Sequence, residues 1–387
     1  MRAIGTPNTG RSNALREETA RIEPVAEPIP LRVAMDFSIS GHPAGGTLRW
    51  AGGLLKALRE VPGVRVSAWP GPRRIRRGWV ARKILNFLLD ELWLEVELPR
   101  RARRDRSDVL LMPANVTSGH APAPQVVTIL DVNFLVAPGT YDRAYASYAR
   151  RRFLRSLDTA QRITTISEYS RDQIVHHLGA NPARIEVVYP GLDVPLASQG
   201  PRPLARPYAL YVGQTQPHKD VPTAIEAMKC LREMDIDLAI VGQPGRDHER
   251  VLALSAAEPA VHVIGRVSDS ELENWYAHAS VFVFPSLTEG FGYPPLEAMA
   301  RDVPVIAAQA GSLPEVLGDA ALFHEPGSAE DLARQMRRAL SDERLRRELV
   351  QRGKDRVLRY TWRAAAERMA LILRSAADGD RDCRISG

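Results

Sequence analysis

Short runs rich in Val, Ile and Leu recur along the chain and alternate with segments whose apolar residues fall at helical spacing. Strands buried on both faces by helices produce this pattern, because neither face of such a strand meets water. In the first half the predicted strands are LRVAMD (31–36), VRVSAW (64–69), DVLLM (108–112), QVVTIL (125–130), RITTIS (162–167) and IEVVYPG (185–191). The segment 197–207, ASQGPRPLARP, interrupts the pattern with prolines and a glycine and reads as a linker. The pattern then restarts with YALYVG (208–213), DLAIVG (237–242), VHVIG (261–265), VFVFP (281–285), VPVIAA (303–308) and ALFHE (321–325). The fold class is therefore α/β, with two Rossmann-like units at 31–196 and 208–358. Ligand-facing loops at the carboxyl ends of both sheets would frame a cleft between them. Helical spacing continues from Asp331 to about Ser375 with a break at 359–362, so 359–375 forms a last helix that could pack back on the first unit. The polar stretch 376–387 reads as a loose tail.

A length of 387 residues fits two domains, and 44% hydrophobic with 25% charged residues is ordinary for a folded chain. Residues 1–30 lack the apolar run of a signal peptide and read as a disordered extension. No apolar stretch is long enough to span a bilayer. Cys230 and Cys383 are the only cysteines, so no disulfide framework or structural zinc site is expected, and a reducing, cytoplasmic setting fits.

The segment VFVFPSLTEGFGYPPLEAMAR (281–301) carries the most chemistry. A strand ends near Pro285, and Pro294 and Pro295 suit the first turn of a helix. Gly290, Phe291, Gly292 and Tyr293 would then lie where free backbone N–H groups favour an anion such as a diphosphate. Glu289 and Glu297 flank that position, and ionised carboxylates accept hydrogen bonds from sugar hydroxyls. Glu297 could equally serve the helix dipole, with Glu289 an ordinary loop residue.

EGFGYPPLE, with its two glutamates after a buried strand, resembles the signature of retaining GT-B glycosyltransferases of the GT4 family. The stretches YALYVGQTQPHKDVPTAIEAM (208–228), GSLPEVLGDAALFHEPGSAEDLA (311–333) and ITTISEYSRDQIVHHLGANPARIEVVYPGLD (163–193) are similar to further parts of that family. The resemblance implies that Glu297 binds the nucleotide ribose, Glu289 approaches the donor sugar, and the backbone of Gly290–Gly292 lies near sugar and diphosphate. It places Lys219, after the loop opened by Gly213, on the diphosphate as a point charge that replaces a metal, with no cofactor. Taken alone, such a lysine is an ordinary surface residue.

The chain also departs from the family. His218-Lys219-Asp220 stands where relatives often have Arg-Lys-Asn, so a titratable histidine replaces a permanent cation, and phosphate binding would be weaker or need another arginine. Leu130-Asp131 stands where many relatives have His-Asp. Asp131 remains a candidate for acceptor or sugar contact, against its reading as a turn former. In SGHPAGGTLRW (40–50), Gly45 and Gly46 would let the backbone approach a ligand, although the spacing is not a dinucleotide fingerprint.

Between Arg73 and Arg106 there are eleven Lys and Arg against five Asp and Glu, an excess of six that equals the +6 formal charge of the whole chain. The segment 71–104 combines arginine clusters with a helix bearing Trp79, Phe87, Leu88, Trp93 and Leu94. It can lie on an anionic membrane surface, peripheral to the inner face of the cytoplasmic membrane, or simply cover its domain. No nucleic-acid recognition motif accompanies the charge.

The expected activity is transfer of a hexose, with GDP-mannose the suggested donor, to a saccharide or polyprenyl-linked acceptor in bacterial surface polysaccharide synthesis. A sugar-nucleotide epimerase or hydrolase of the same fold, and a degenerate nucleotide-binding subunit, remain alternatives.

Overall fold

The computed structural model describes residues 29–41, 45–73, 80–193 and 200–385. Most of the expected N-terminal extension, residues 197–199 of the linker, Trp79 and the rest of 74–79, and the final two residues lie outside it.

The first sheet contains β1 (Leu31–Asp36), β2 (Val64–Trp69), β3 (Val109–Met112), β4 (Gln125–Thr128), β5 (Arg162–Thr165) and β6 (Ile185–Val187). The second contains β7 (Tyr208–Val212), β8 (Asp237–Val241), β9 (Val261–Gly265), β10 (Val281–Phe284), β11 (Val305–Ala308) and β12 (Ala321–His324). Their orders are β2-β1-β3-β4-β5-β6 and β12-β11-β10-β7-β8-β9, and every pairing is parallel. All twelve sequence runs thus become strands. Several end earlier than the apolar pattern does, because Ile129, Leu130 and Ile166 are buried after their strands stop and form cleft walls or core.

Each order reverses at one point, between β1 and β3 in the first sheet and between β7 and β10 in the second. Strand-end loops diverge at such a switch point and leave a crevice. The loops after β7 and β10 contain Lys219 and Glu289, while the loop after β1 runs to Gly45 and the chain after β4 reaches Asp131. Topology brings Lys219 and Glu289 to one end of the second sheet and the segments at Gly45 and Asp131 to the matching end of the first, and packing of the two units joins them.

The helix Trp362–Ile385 returns to the first sheet's side. The Trp362 ring lies 6.3 Å from that of Trp50 on the helix Gly46–Leu58, and the Arg374 guanidinium donates to the Gly63 carbonyl at 2.9 Å. A β-carbon at Gly53 would lie 2.2 Å from the Trp362 ring, so glycine is required for this approach. The stretch after Ala376 is not a loose tail as far as Ile385, because the helix runs through it. Met369, Ile372, Leu373, Ala376 and Ala377 are all buried, extending the helical apolar stripe past the expected end.

The basic segment also differs from expectation. After the helix Val80–Leu92 the chain passes through a π-helical turn, Trp93–Glu97. Trp93 and Leu94 lie in the core, whereas Ile84, Leu85, Phe87, Leu88 and Leu92 are exposed. Trp93 and Phe87 therefore do not share one surface face. Among the described residues no helix is long and apolar enough to cross a membrane.

Candidate donor cleft

A cleft of about 860 Å³ opens between the sheets, lined by Gly45, Gly46 and Arg49 from one side and by Lys219, Glu289 to Pro294 and Glu297 from the other. Leu130, Asp131, Asn133 and Tyr141 complete the first sheet's wall, and His218 lies on the opposite wall.

Lys219 is placed by a tight chain path. Gly213 donates to the Val241 carbonyl at 2.9 Å, and a β-carbon at the facing Gly242 would lie 1.9 Å from the Gly213 oxygen. The 3-10 turn Pro217–Lys219 follows, closed by Asp220 at φ +48°. The His218 carbonyl accepts from Leu287 N at 2.8 Å, tying this loop to the one after β10. Lys219 Nζ then meets Glu289 Oε1 at 2.5 Å, with both side chains largely buried. Gly213 is not among the residues lining the cleft. Its glycine serves the close crossing of two strand ends.

Glu297 is engaged on both carboxylate oxygens. Arg49 bonds to Oε1 and the Tyr276 hydroxyl donates to Oε2 at 2.8 Å. Arg301 donates to the Glu297 backbone carbonyl at 2.7 Å and packs over the Tyr276 ring. The helix begun at Tyr293 has only seven residues, Tyr293–Met299, so its dipole is short and the site's positive charge comes mainly from Lys219 and Arg49. Gly292, at φ +90°, makes the entry turn that other side chains rarely adopt. Phe291 contributes backbone to the cleft while its ring is buried against Tyr360 at 5.2 Å.

Gly290 is one of the points at which the two halves touch. The Ser167 hydroxyl donates to the Gly290 carbonyl at 2.6 Å, and a β-carbon at Gly290 would meet Asp131 Cβ at 3.2 Å. Nearby, Glu315 accepts from the backbone N–H groups of Glu168 at 2.8 Å and Tyr169 at 2.9 Å, and from the Tyr189 hydroxyl at 2.8 Å. A carboxylate on the second unit thus caps the helix Glu168–Leu178 of the first. Glu315→Gln retains one acceptor oxygen where two are used, and its expected cost is about 1.5 kcal/mol, read as a lowered midpoint in thermal denaturation.

Gly45 and Gly46 stand at the start of the helix Gly46–Leu58, with nothing within 4 Å of a β-carbon built on either. Their importance lies in the open cleft side rather than in any protein contact. Asp131 Oδ1 accepts from Asn133 N at 3.0 Å, so the turn role and the cleft position coexist. Burial raises its carboxyl above the ordinary value, opposed next by the Asn133 bond, with smaller contributions upward from Glu289 and downward from Lys219. Burial and then Lys219 push the His218 imidazole below its usual value, leaving it neutral at pH 7 and unable to replace a permanent cation. Tyr141, pushed up to about 12 mainly by burial and by Asp131, keeps its proton as a donor on the same wall.

A raised folded-state carboxyl pKa favours the folded protein below the unfolded value, and this advantage is lost as pH rises through the folded value. Asp131→Asn is therefore expected to raise the melting temperature at pH 7.5, with the gain shrinking as pH is lowered toward the unfolded aspartate range. Melting curves across pH check the sign.

The sequence motifs did not single out Arg49, Asn133, Tyr141, Ser167, Tyr276 or Glu315. Arg49 sits one turn after Gly45 and Gly46, and Glu315 lies in the quoted 311–333 stretch, but neither segment reveals a partner far away in sequence. Tyr276 has no local signal.

Residues 197–356 match the family model for glycosyl transferases group 1, and residues 47–196 match that for glycosyltransferase family 4. The chain is 29% identical over 283 residues to O-antigen chain mannosyltransferase B of Escherichia coli, covering 68% of this chain and 74% of that one. It is also 29% identical over 221 residues to the MMP alpha-(1->4)-mannosyltransferase of Mycolicibacterium hassiacum, covering 55% of this chain and 54% of the relative, about half its length. Among solved structures, sucrose-phosphate synthase from Thermosynechococcus elongatus aligns with a TM-score of 0.72 at 19% identity, covering 89% of this chain and 98% of that one. HepE from Anabaena, solved with UDP and glucose, aligns at 0.66 and 18%, covering 89% and 100%. The paired parallel sheets and the two adjoining family matches lead to one conclusion: the chain belongs to the group 1, family 4 glycosyltransferases and has the GT-B fold.

Proposed function

We propose that the protein is a retaining glycosyltransferase that moves a hexose, with mannose the favoured candidate, from a nucleotide diphosphate sugar to a saccharide or lipid-linked acceptor. The observation that carries this reading is the pair of carboxylate–cation contacts, Lys219–Glu289 and Arg49–Glu297, in one cleft between the two sheets. Glu297 is suited to ribose hydroxyls and Glu289 to donor sugar hydroxyls, because ionised carboxylates are strong acceptors. Lys219 would stabilise negative charge growing on the departing diphosphate.

In this mechanism the bond from the anomeric carbon to the diphosphate breaks as an acceptor hydroxyl attacks from the same face. The acceptor's proton leaves with the diphosphate. Asp131 and Tyr141 line the side from which an acceptor hydroxyl could be oriented. Closure of the halves around Gly290 excludes water and favours transfer over hydrolysis. The names of the two mannosyltransferase relatives favour mannose as the sugar, and GDP-mannose is the donor proposed. The O-antigen relative supports a place in bacterial surface polysaccharide synthesis.

A screen of GDP- and UDP-hexoses with saccharide and polyprenyl-linked acceptors, read by mass spectrometry, tests the proposal. The expected result is an acceptor gaining one hexose, with the anomeric configuration of the donor kept. Isomerised donor or free sugar as the sole product would contradict transfer.

A peripheral contact with anionic membrane is proposed for the region 71–104. The exposed Ile84, Leu85, Phe87, Leu88 and Leu92 on the helix Val80–Leu92, near the basic helix Leu98–Arg104, support it. Sedimentation with phosphatidylglycerol vesicles should exceed that with phosphatidylcholine vesicles and fall in salt. Equal sedimentation with both would contradict the contact.

A further inference from the structure

Arg49 and Lys219 are the permanently charged cations that line the cleft among the described residues, and each is already held by a glutamate. Arg49 comes from the first sheet's side, on the helix Gly46–Leu58, and reaches Glu297 on the other. Its guanidinium lies 4.3 Å from the Tyr293 ring centroid, and Nε faces Asp193 Oδ2 at 3.5 Å. Trp362 Nε1 donates to Asp193 Oδ1 at 2.9 Å, so Asp193 is itself fixed by the C-terminal helix. Two buried polar atoms of residues beside Arg49, Trp50 Nε1 and Tyr293 Oη, have no partner among the described residues. Buried polar groups rarely stay unpaired, so the packing around Arg49 leaves hydrogen-bonding capacity unused.

The charge balance sharpens the point. The two cations are matched by Glu289 and Glu297, with Asp131 adding a further acid, whereas a diphosphate adds more negative charge. A lining with no positive excess cannot hold a diphosphate well unless cations leave their present partners. Hydroxyl groups can take the place of a cation at a carboxylate, because each O–H donates to an ionised oxygen.

Resting on the nucleotide-sugar reading above, we infer that Arg49 is the second diphosphate-binding cation, exchanged from Glu297 to the donor when ribose hydroxyls take over that carboxylate. The Lys219–Glu289 pair makes the parallel exchange with sugar hydroxyls. The two ion pairs hold the empty cleft neutral and release both cations together when a complete donor enters. Arg49 thereby supplies, from the opposite wall of the cleft, the permanent charge that His218 lacks. It recognises diphosphate and competes with a bare nucleoside for Glu297, so its removal should affect those two ligands differently.

The test uses the full-length protein and titrations of GDP, UDP, guanosine and uridine, followed by ligand-observed NMR, which reads weak affinities as well as strong ones. Arg49→Gln should weaken the preferred nucleoside diphosphate on the order of ten- to a hundredfold, the range of a lost charge-assisted bond. The matching nucleoside should bind equally well or more tightly, and Arg49→Lys should restore part of the diphosphate affinity. Diphosphate affinity within about threefold of wild type in Arg49→Gln would overturn the inference alone. So would an equal loss for nucleoside and diphosphate, which marks a merely structural role. A wild type that binds neither GDP nor UDP would overturn the nucleotide-site reading itself, and this inference with it.

Discussion

Replacing Lys219 with methionine is expected to lower kcat by about 10²- to 10³-fold, the loss typical of removing one preorganised group that meets developing charge. The side chain is largely buried and bonded to Glu289, so its position is fixed before any substrate arrives. Methionine keeps much of the volume and removes the charge. Glu289 would remain as an acceptor for sugar hydroxyls, so KM should change less than kcat. Initial rates of nucleoside diphosphate release, with a donor and acceptor found by the screen, give both constants. An unchanged kcat would remove Lys219 from the chemistry and leave it as a partner that neutralises a buried glutamate.

Gly242→Ala should be the most damaging substitution away from the chemistry. The added carbon would lie 1.9 Å from the Gly213 oxygen and 2.6 Å from its carbonyl carbon, both backbone atoms that cannot rotate away. Gly242 also has φ +148°, a conformation that alanine adopts with strain. Relief requires the ends of β7 and β8 to separate, breaking the Gly213–Val241 hydrogen bond. The expected cost is about 4 kcal/mol, near the upper end for a single substitution. The midpoint of thermal unfolding should fall by roughly 10 °C. Because the same crossing sets the path to Lys219, any folded Gly242→Ala protein should also lose activity. A melting temperature within a degree of wild type would show that this crossing is looser than its geometry.

The twelve strands were legible because parallel strands in this fold are buried on both faces and leave uninterrupted apolar runs such as DLAIVG and VFVFP. Their ends were less legible, because residues such as Ile129 and Leu130 stay apolar while leaving the sheet to line the core and the cleft. The C-terminal tail was misread for a related reason: polar residues after Ala376 hid the buried Ala376 and Ala377 that continue the helix. Trp93 and Leu94 belong with Phe87 by apolar character alone, since at about 3.6 residues per turn they already point away from the exposed Ile84 and Leu88.

At the site, Glu289 and Glu297 could be named because they flank a strand-to-helix turn with a recognisable local pattern, and Lys219 only through the family resemblance of the stretch around it. Their partners could not. Arg49 and Glu297 are 248 positions apart, Ser167 and Gly290 123 apart, and only the packing of the two units brings them together. His218 in the sequence leaves open either weaker phosphate binding or the need for a further arginine. It gave no sign that this residue would come from the opposite wall, at Arg49.

Calorimetric titration of GDP and UDP into the wild type, Arg49→Gln and the double variant Arg49→Gln/Glu297→Ala tests the central claim most directly. The cleft reading predicts that at least one nucleoside diphosphate binds the wild type and that removing Glu297 from Arg49→Gln weakens it by about tenfold or more, the scale of a lost bond to a carboxylate, because no cation is freed in exchange. No binding to the wild type, or equal affinity in Arg49→Gln with and without Glu297, would contradict a nucleotide site between the two sheets.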